Sequence, residues 1–238
     1  ASPGGYAFAR IESPAERTML LEPRGHAIVY VNGEPRPGDP YNNGLLVLPV
    51  RLKKGINEFL FQVGRGELQA RLISANDPIS LDARDATLPD VIRGETGPWW
   101  CGLLVWNTSG EPFKNGAIVA TWEGGSTRTE LASIPPESTK KVGFSMEGSA
   151  PGDAEKVEVK LALVQRIDGE EKTLDESTLM LGVKNINEIH NRTFVSNIDG
   201  SVQYYTVRPA KPSSEEGSEK GLVMFLHGAN TEAKELAA

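Results

Sequence analysis

"KVEVKLALVQRIDGEEKTLDESTLMLGV", residues 156–183, is the stretch whose reading decides the fold. Val157, Val159, Leu161 and Leu163 take every second position, with polar or small residues between them. Successive side chains of a strand point to opposite faces, so this spacing makes one apolar face and one wet face. Asp168-Gly169 follows, a pair that tolerates the positive φ of a two-residue turn. The stretch reads as an antiparallel hairpin. Elsewhere the 25 glycines and 16 prolines punctuate short apolar bursts, which favours an all-β sandwich over a helical protein.

Working outward from the hairpin, "WWCGLLVWNTSGEPFKNGAIVATWEGG" (99–125) reads as two strands with turns at Ser-Gly-Glu-Pro and Asn115-Gly116. "ELASIPPESTKKVGFSM" (130–146) carries a Pro-Pro break into a further strand. Roughly seven short strands between 91 and 186 match an immunoglobulin-like or fibronectin-like sandwich, without the Cys–Trp–Cys pattern of antibody domains. Upstream, "SANDPISLDARDATLPD" (74–90) has two proline turns and four aspartates, and its 79–90 portion reads as a linker. Asp77, Asp82, Asp85 and Asp90 lack the spacing of a calcium loop. Residues 1–78 form the first block, with a strand at His26–Val31, a turn at Asn32-Gly33, and further strands separated by Lys54-Gly55 and Gly64-Arg65-Gly66. A third block, 187–238, holds a hairpin around Asp199-Gly200, a polar loop, an apolar run at 222–226 and a tail of good helix formers that Thr231 could cap.

Composition narrows the function. Hydrophobic residues make up 39% and charged residues 24%, the balance of a globular chain. No apolar run approaches the roughly 20 residues of a membrane-spanning helix. The N-terminus "ASPGG" has no basic segment followed by an apolar core, so no signal peptide is read there. Net charge is −7 and the basic residues are scattered, which argues against a nucleic-acid partner. Cys101 is the single cysteine and has apolar neighbours, so it reads as core packing. His26, His190 and His227 show no metal-ligand spacing, and neither a metal nor a cofactor is expected. Glu170-Glu171 and Glu215-Glu216 sit in predicted turns and read as solvated surface. The sequons at Asn107 and Asn191 carry little weight without a known source.

Two resemblances extend this reading. "YVNGE", a Gly-Asp-Pro-Tyr loop and "LPVRLKKGINEFLFQV" resemble the jelly-roll, galactose-binding-like modules attached to many bacterial hydrolases. That likeness covers about 50 residues and implies a fold more than a ligand. Asp199-Gly200, Tyr204, Tyr205, Pro209, then residues 222–226, His227 and Gly228 resemble the opening of an α/β-hydrolase domain of the esterase or prolyl-oligopeptidase-like branches. A strand apolar on both faces belongs in a sheet covered on both sides. The other reading of 222–226 is the last strand of a sandwich. The hydrolase resemblance implies that His227, Gly228 and Ala229 contribute to an oxyanion hole, where small residues leave room for backbone N–H donors.

The nucleophile of that chemistry is missing from the chain. G-x-S-x-G occurs nowhere, and the nearest approaches, "GFSME" (143–147) and "GGSTR" (124–128), fail the pattern. No catalytic residue is therefore expected. The resemblance implies a noncatalytic N-terminal region of a serine hydrolase, either esterase or peptidase, which positions or gates its own downstream catalytic domain. It also suggests a periplasmic or extracellular setting, while the lone cysteine leaves a cytoplasmic one open. The alternative is a carbohydrate- or surface-binding β-sandwich module. Trp99 and Trp100, with Trp106 and Trp122, motivate it as stacking faces, against a plain reading in which they fill the core.

Overall fold

The computed structural model describes residues 4–64, 67–210, 221–226, 228 and 231–237. Its first layers come from β1 (Tyr6–Ser13), β2 (Arg17–Arg24), β3 (His26–Val31), β4 (Glu34–Pro37), β5 (Leu48–Leu52), β6 (Gly55–Val63) and β7 (Gln69–Ser74). They form a four-stranded sheet, β1-β6-β3-β4, and a three-stranded sheet, β5-β2-β7, all antiparallel. Along β6, Asn57, Phe59, Phe61 and Val63 are buried while the residues between them are not. That inward row meets Met19, Leu21, Val50 and Leu52 from the other sheet, so alternation in the sequence becomes a core between two sheets.

The two turn motifs of this block are joined by a pair of asparagines. Asn32 and Gly33 have φ of 52° and 89°, and such a turn leads back into a right-twisted hairpin. Asn32 Nδ2 donates to Asn57 Oδ1 (2.9 Å), and Glu58 N donates to Asn32 Oδ1 (3.0 Å). Asn57 is fully buried; its amide donates to Lys53 O and Gly55 O, and its oxygen accepts from Lys53 N. One side chain thus holds the turn at 53–55 and clasps the turn at 32–33.

The second set of layers comes from β8 (Ile79–Thr87), β9 (Val91–Ile92), β10 (Trp99–Asn107), β11 (Gly116–Trp122), β12 (Gly125–Glu130), β13 (Ser138–Met146), β14 (Lys156–Ile167) and β15 (Glu170–Lys184). A three-stranded sheet, β13-β10-β8, faces a five-stranded one, β12-β11-β14-β15-β9, in which only β15 and β9 run parallel. Residues 156–183 form the hairpin β14–β15, turned at Asp168 and Gly169 with φ of 52° and 88°. Val157, Val159, Leu161 and Leu163 all lie in its buried row. The protein is thus all-β, with several sandwich-like sheets.

The segment expected as a linker at 79–90 is instead strand β8, paired along β10. Its aspartates drew the linker reading, but they serve the strand. Asp82 binds Arg84, Asp85 pairs with Lys141, and Asp90 accepts from Asn191 N. Asn107 of the first sequon is fully buried, and its amide donates to carbonyls of the loops at Glu111 and Pro135. It pins those loops and is closed to a glycan.

Beyond β15 lie β16 (His190–Val195), β17 (Val202–Val207) and a short helix, α1 (Ala233–Ala237). The β16–β17 hairpin docks on the outer face of β10 and β13, where Val202 sits against Gly102 and Gly143. A Cβ at Gly143 would come within 2.7 Å of Val202, so glycine is what lets the hairpin settle. Thr193 Oγ1 donates to Trp100 O (2.6 Å), and Arg192 forks onto both Glu95 oxygens (3.1 and 2.6 Å).

The apolar run at 222–226 belongs to no sheet, and its five residues are 70–91% exposed. An α/β-hydrolase sheet would need that segment paired and covered on both faces. The hydrolase core expected in 187–238 is therefore corrected: among the described residues there are a docked two-stranded hairpin, the unpaired segment 221–226 and the short helix α1.

Replacing Asn57 with alanine strips two turns of their shared partner. Asn57→Ala is expected to lower stability by about 2–4 kcal/mol, read as a fall in the urea midpoint at unchanged slope. Arg10→Ala, which breaks the exposed Arg10–Glu58 pair and an exposed cation–π contact with Phe8, is expected to cost under about 1 kcal/mol.

Candidate binding groove between the sandwiches

The outer face of β13-β10-β8 is half-buried rather than wet, because it meets the first sandwich at one end and the β16–β17 hairpin at the other. Arg84 on β8 is the chief tie to the first sandwich. Its Nη1 donates to Glu22 Oε1 of β2 (2.8 Å), while its Nε donates to both Asp82 oxygens (3.0 and 3.1 Å). Arg71 holds the other oxygen of Glu22. The Arg84 guanidinium also lies over the Trp106 ring at 5.3 Å, a cation–π contact. Nearby, Thr139 Oγ1 donates to Val47 O (3.1 Å), and Arg51 pairs with Glu137 (3.5 Å) as well as Glu16.

Between these ties the surfaces part and leave an open groove of about 620 Å³. One wall is the segment 37–49, from the end of β4 to the start of β5, with Pro37, Pro40, Tyr41 and Leu45; the other is Leu104, Ser138 and Thr139 of the second sandwich. Tyr41 is 44% exposed and Leu45 38%. A smaller charged cleft of about 330 Å³ adjoins it, lined by Glu16, Glu34, Arg51 and Lys53. Arg36 and Glu137 line both cavities.

The groove loop is built from local chemistry. Asp39 is buried, and its carboxylate accepts from Asn43 N (2.9 Å) and Gly44 N (2.7 Å), closing the loop on itself. Gly38 passes so near β3 that a Cβ there would lie 1.9 Å from Ala27 O. His26 Nε2 lies 3.3 Å from Pro37 O; burial pushes its pKa down, against the opposing pull of the Pro37 carbonyl and Asp39. Neutral His26 is thus the favoured form under the groove wall.

The residues singled out in the sequence fall elsewhere. Trp99 is buried in the second core, edge-on to Trp122 with ring centroids 5.5 Å apart. Trp122 spends its indole N–H on Glu147 O (3.1 Å). Trp100 is half-buried on the outer face beside Gly143, with its carbonyl bonded by the hairpin. Trp99 is thus enclosed in the core, while Trp100 lies away from the groove and is only half-buried. His227 and Ala229 lie outside the described residues; Gly228 is exposed. Cys101 is fully buried and burial pushes its thiol pKa well up, so it is a packing atom and no nucleophile. Among the described residues no group of three His, Cys, Asp or Glu is gathered as a metal site.

The groove residues that sequence reading missed are Arg36, Tyr41 and Leu104. Tyr41 closes the Gly-Asp-Pro-Tyr loop, so its signal was present in the sequence. Arg36 stands between two prolines and Leu104 in an unbroken apolar stretch, and neither setting marks a groove.

No protein-family model matches the chain, and no curated protein matches it. Solved structures do resemble it in fold. A GH2 β-galacturonidase from Eisenbergiella tayi is 16% identical, with a TM-score of 0.42, over 85% of this chain and 38% of that one. A calcium-binding mutant of Bacteroides uniformis β-glucuronidase 2 is 12% identical, with a TM-score of 0.42, over 87% of this chain and 28% of that one. A β-D-mannosidase from Dictyoglomus thermophilum is 13% identical, with a TM-score of 0.37, over 84% and 31%. The chain thus spans well under half of each of these proteins. These three neighbours are glycosidases; the expected esterase or prolyl-oligopeptidase-like origin is corrected on the fold itself, since residues 222–226 join no sheet.

The tie between the sandwiches sets a pH dependence. Desolvation raises the Glu22 pKa, but hydrogen bonds from Arg84 and Arg71 outweigh it and leave the group below its ordinary 4.5. A lowered carboxylate contributes stability that is complete above the unfolded value and vanishes as pH falls through the folded one. Glu22→Gln is therefore expected to cost about 1 kcal/mol in urea unfolding at neutral pH, with the gap to wild type closing below 4.5. A gap that persists in acid would show that the carboxylate charge is not what ties the pair.

Proposed function

We propose that this chain is a noncatalytic β-sandwich module that binds carbohydrate in the groove between its two sandwiches. The observation that carries this reading is the groove itself: an open trough of about 620 Å³ with an exposed tyrosine, prolines and leucines on its walls. Ser138, Thr139 and Asn43 stand among them as polar groups. A pyranose ring has apolar C–H faces and a rim of hydroxyls, so it needs both kinds of surface side by side. Asp39, Gly38 and the Arg84–Glu22 pair hold the walls, which lowers the ordering cost of binding. Such a module would hold a catalytic domain on its polymeric substrate, in a periplasmic or extracellular setting.

A glycan array followed by isothermal titration calorimetry tests the reading. Wild type is expected to bind at least one oligosaccharide class, and Tyr41→Ala to weaken it by roughly tenfold, as loss of a stacking face does. Trp122→Phe, in the core, is expected to leave affinity unchanged. A blank array, or binding indifferent to Tyr41, would refute it.

A further inference from the structure

We propose that the saccharide taken by this groove is acidic, and that Arg36 receives its carboxylate; this rests on the groove being the carbohydrate site. Arg36 sits on β4 where the apolar groove runs into the charged cleft, and it lines both. Its Nε is buried and has no hydrogen-bond partner, one of three such side-chain atoms among the described residues. Its one ion-pair contact is a long 3.4 Å approach to Glu34, whose side chain is 74% exposed. A guanidinium stripped of water at one nitrogen and weakly held at another is an unfinished fork. With Nε enclosed, the two Nη groups of the part-exposed guanidinium are what an incoming carboxylate can reach, and as a planar pair they match its two oxygens, the geometry that distinguishes Arg from Lys.

The neighbouring cation of the same kind is already engaged. Arg51 is held by Glu16 and approached by Glu137, so it closes the cleft without offering a free fork. Arg36 is therefore the guanidinium that gains most from an incoming anion.

An acidic peptide is the competing anion, and the backbone argues against it. β4 is an edge strand, and a peptide adds to such an edge through backbone hydrogen bonds. Here Pro35 and Pro37 flank Arg36, and Arg36 itself pairs inward with Val29. In a strand every second residue turns its N–H outward, so the two outward positions are the prolines, which carry none. The edge cannot template a strand. A sugar acid needs no strand: its ring rests against Tyr41 and the prolines while its carboxylate reaches Arg36.

The test uses the full chain in isothermal titration calorimetry at fixed low salt. The probes are oligogalacturonate, oligoglucuronate, carboxyl-reduced oligogalacturonate and hexaglutamate. The expected result is binding of an oligouronide at least tenfold tighter than of its reduced counterpart. Arg36→Gln should then lose at least roughly tenfold, Arg36→Lys should recover only part, and Arg10→Gln on the outer sheet face should match wild type. Circular dichroism confirms that each variant is folded, and Arg36→Lys preserves the test should Arg36→Gln misfold. Equal affinity for acidic and reduced probes, or indifference to Arg36, overturns the inference and leaves the carbohydrate reading standing. Hexaglutamate bound as tightly as the oligouronides overturns it in favour of an acidic peptide. Silence toward these probes together with a blank glycan array removes both readings.

Discussion

The hydrogen bonds that Glu22 accepts from Arg84 and Arg71 are the interaction on which the rest of the structure depends. Each sandwich has its own apolar core and would bury it without help from the other. Their relative placement is another matter, because the surfaces between them are half-buried and partly polar. Arg84 resolves it by binding Asp82 on its own strand and Glu22 across the boundary, while resting on Trp106. A bidentate, partly desolvated cation fixes direction as well as distance. Thr139 and Val47 add a second tie, and what remains open between the two ties is the groove.

The same sheet explains why β10 is apolar on both faces. Its inner row, Cys101, Leu103 and Val105, fills the second core. Its outer row serves two neighbours. Leu104 and Trp106 face the first sandwich, and Trp100 with Gly102 faces the β16–β17 hairpin. A sheet covered on both sides needs a strand without alternation, and "WWCGLLVW" is that strand.

The same rule does not hold for the other unbroken apolar run in the chain. Residues 222–226 are equally apolar but stand exposed, outside any sheet, so an unbroken apolar run identifies a candidate for burial and not the fold that buries it. The hairpin at 156–183 was legible because alternation and an Asp-Gly turn agree, two local signals with one outcome. Strand β8 was hidden because its aspartates and flanking prolines mimic a linker; Asp85 finds its partner in the distant Lys141, which leaves no local trace. The asparagine clasp lay in the two quoted turn motifs, although only folding brings Asn32 to Asn57. The groove was least legible of all. Its walls come from residues about 60 to 100 positions apart, and Arg36 matters through an unpaired nitrogen that no spacing rule describes.

The central claim is that ligand recognition resides where the two sandwiches meet and not on the outer sheet faces. Hydrogen–deuterium exchange with and without a saturating oligosaccharide identified on the array tests it most directly. The account predicts slowed exchange confined to residues 36–49 and 137–139, the two walls of the groove. Protection centred instead on β1 and β6, or on the β16–β17 hairpin, would contradict it.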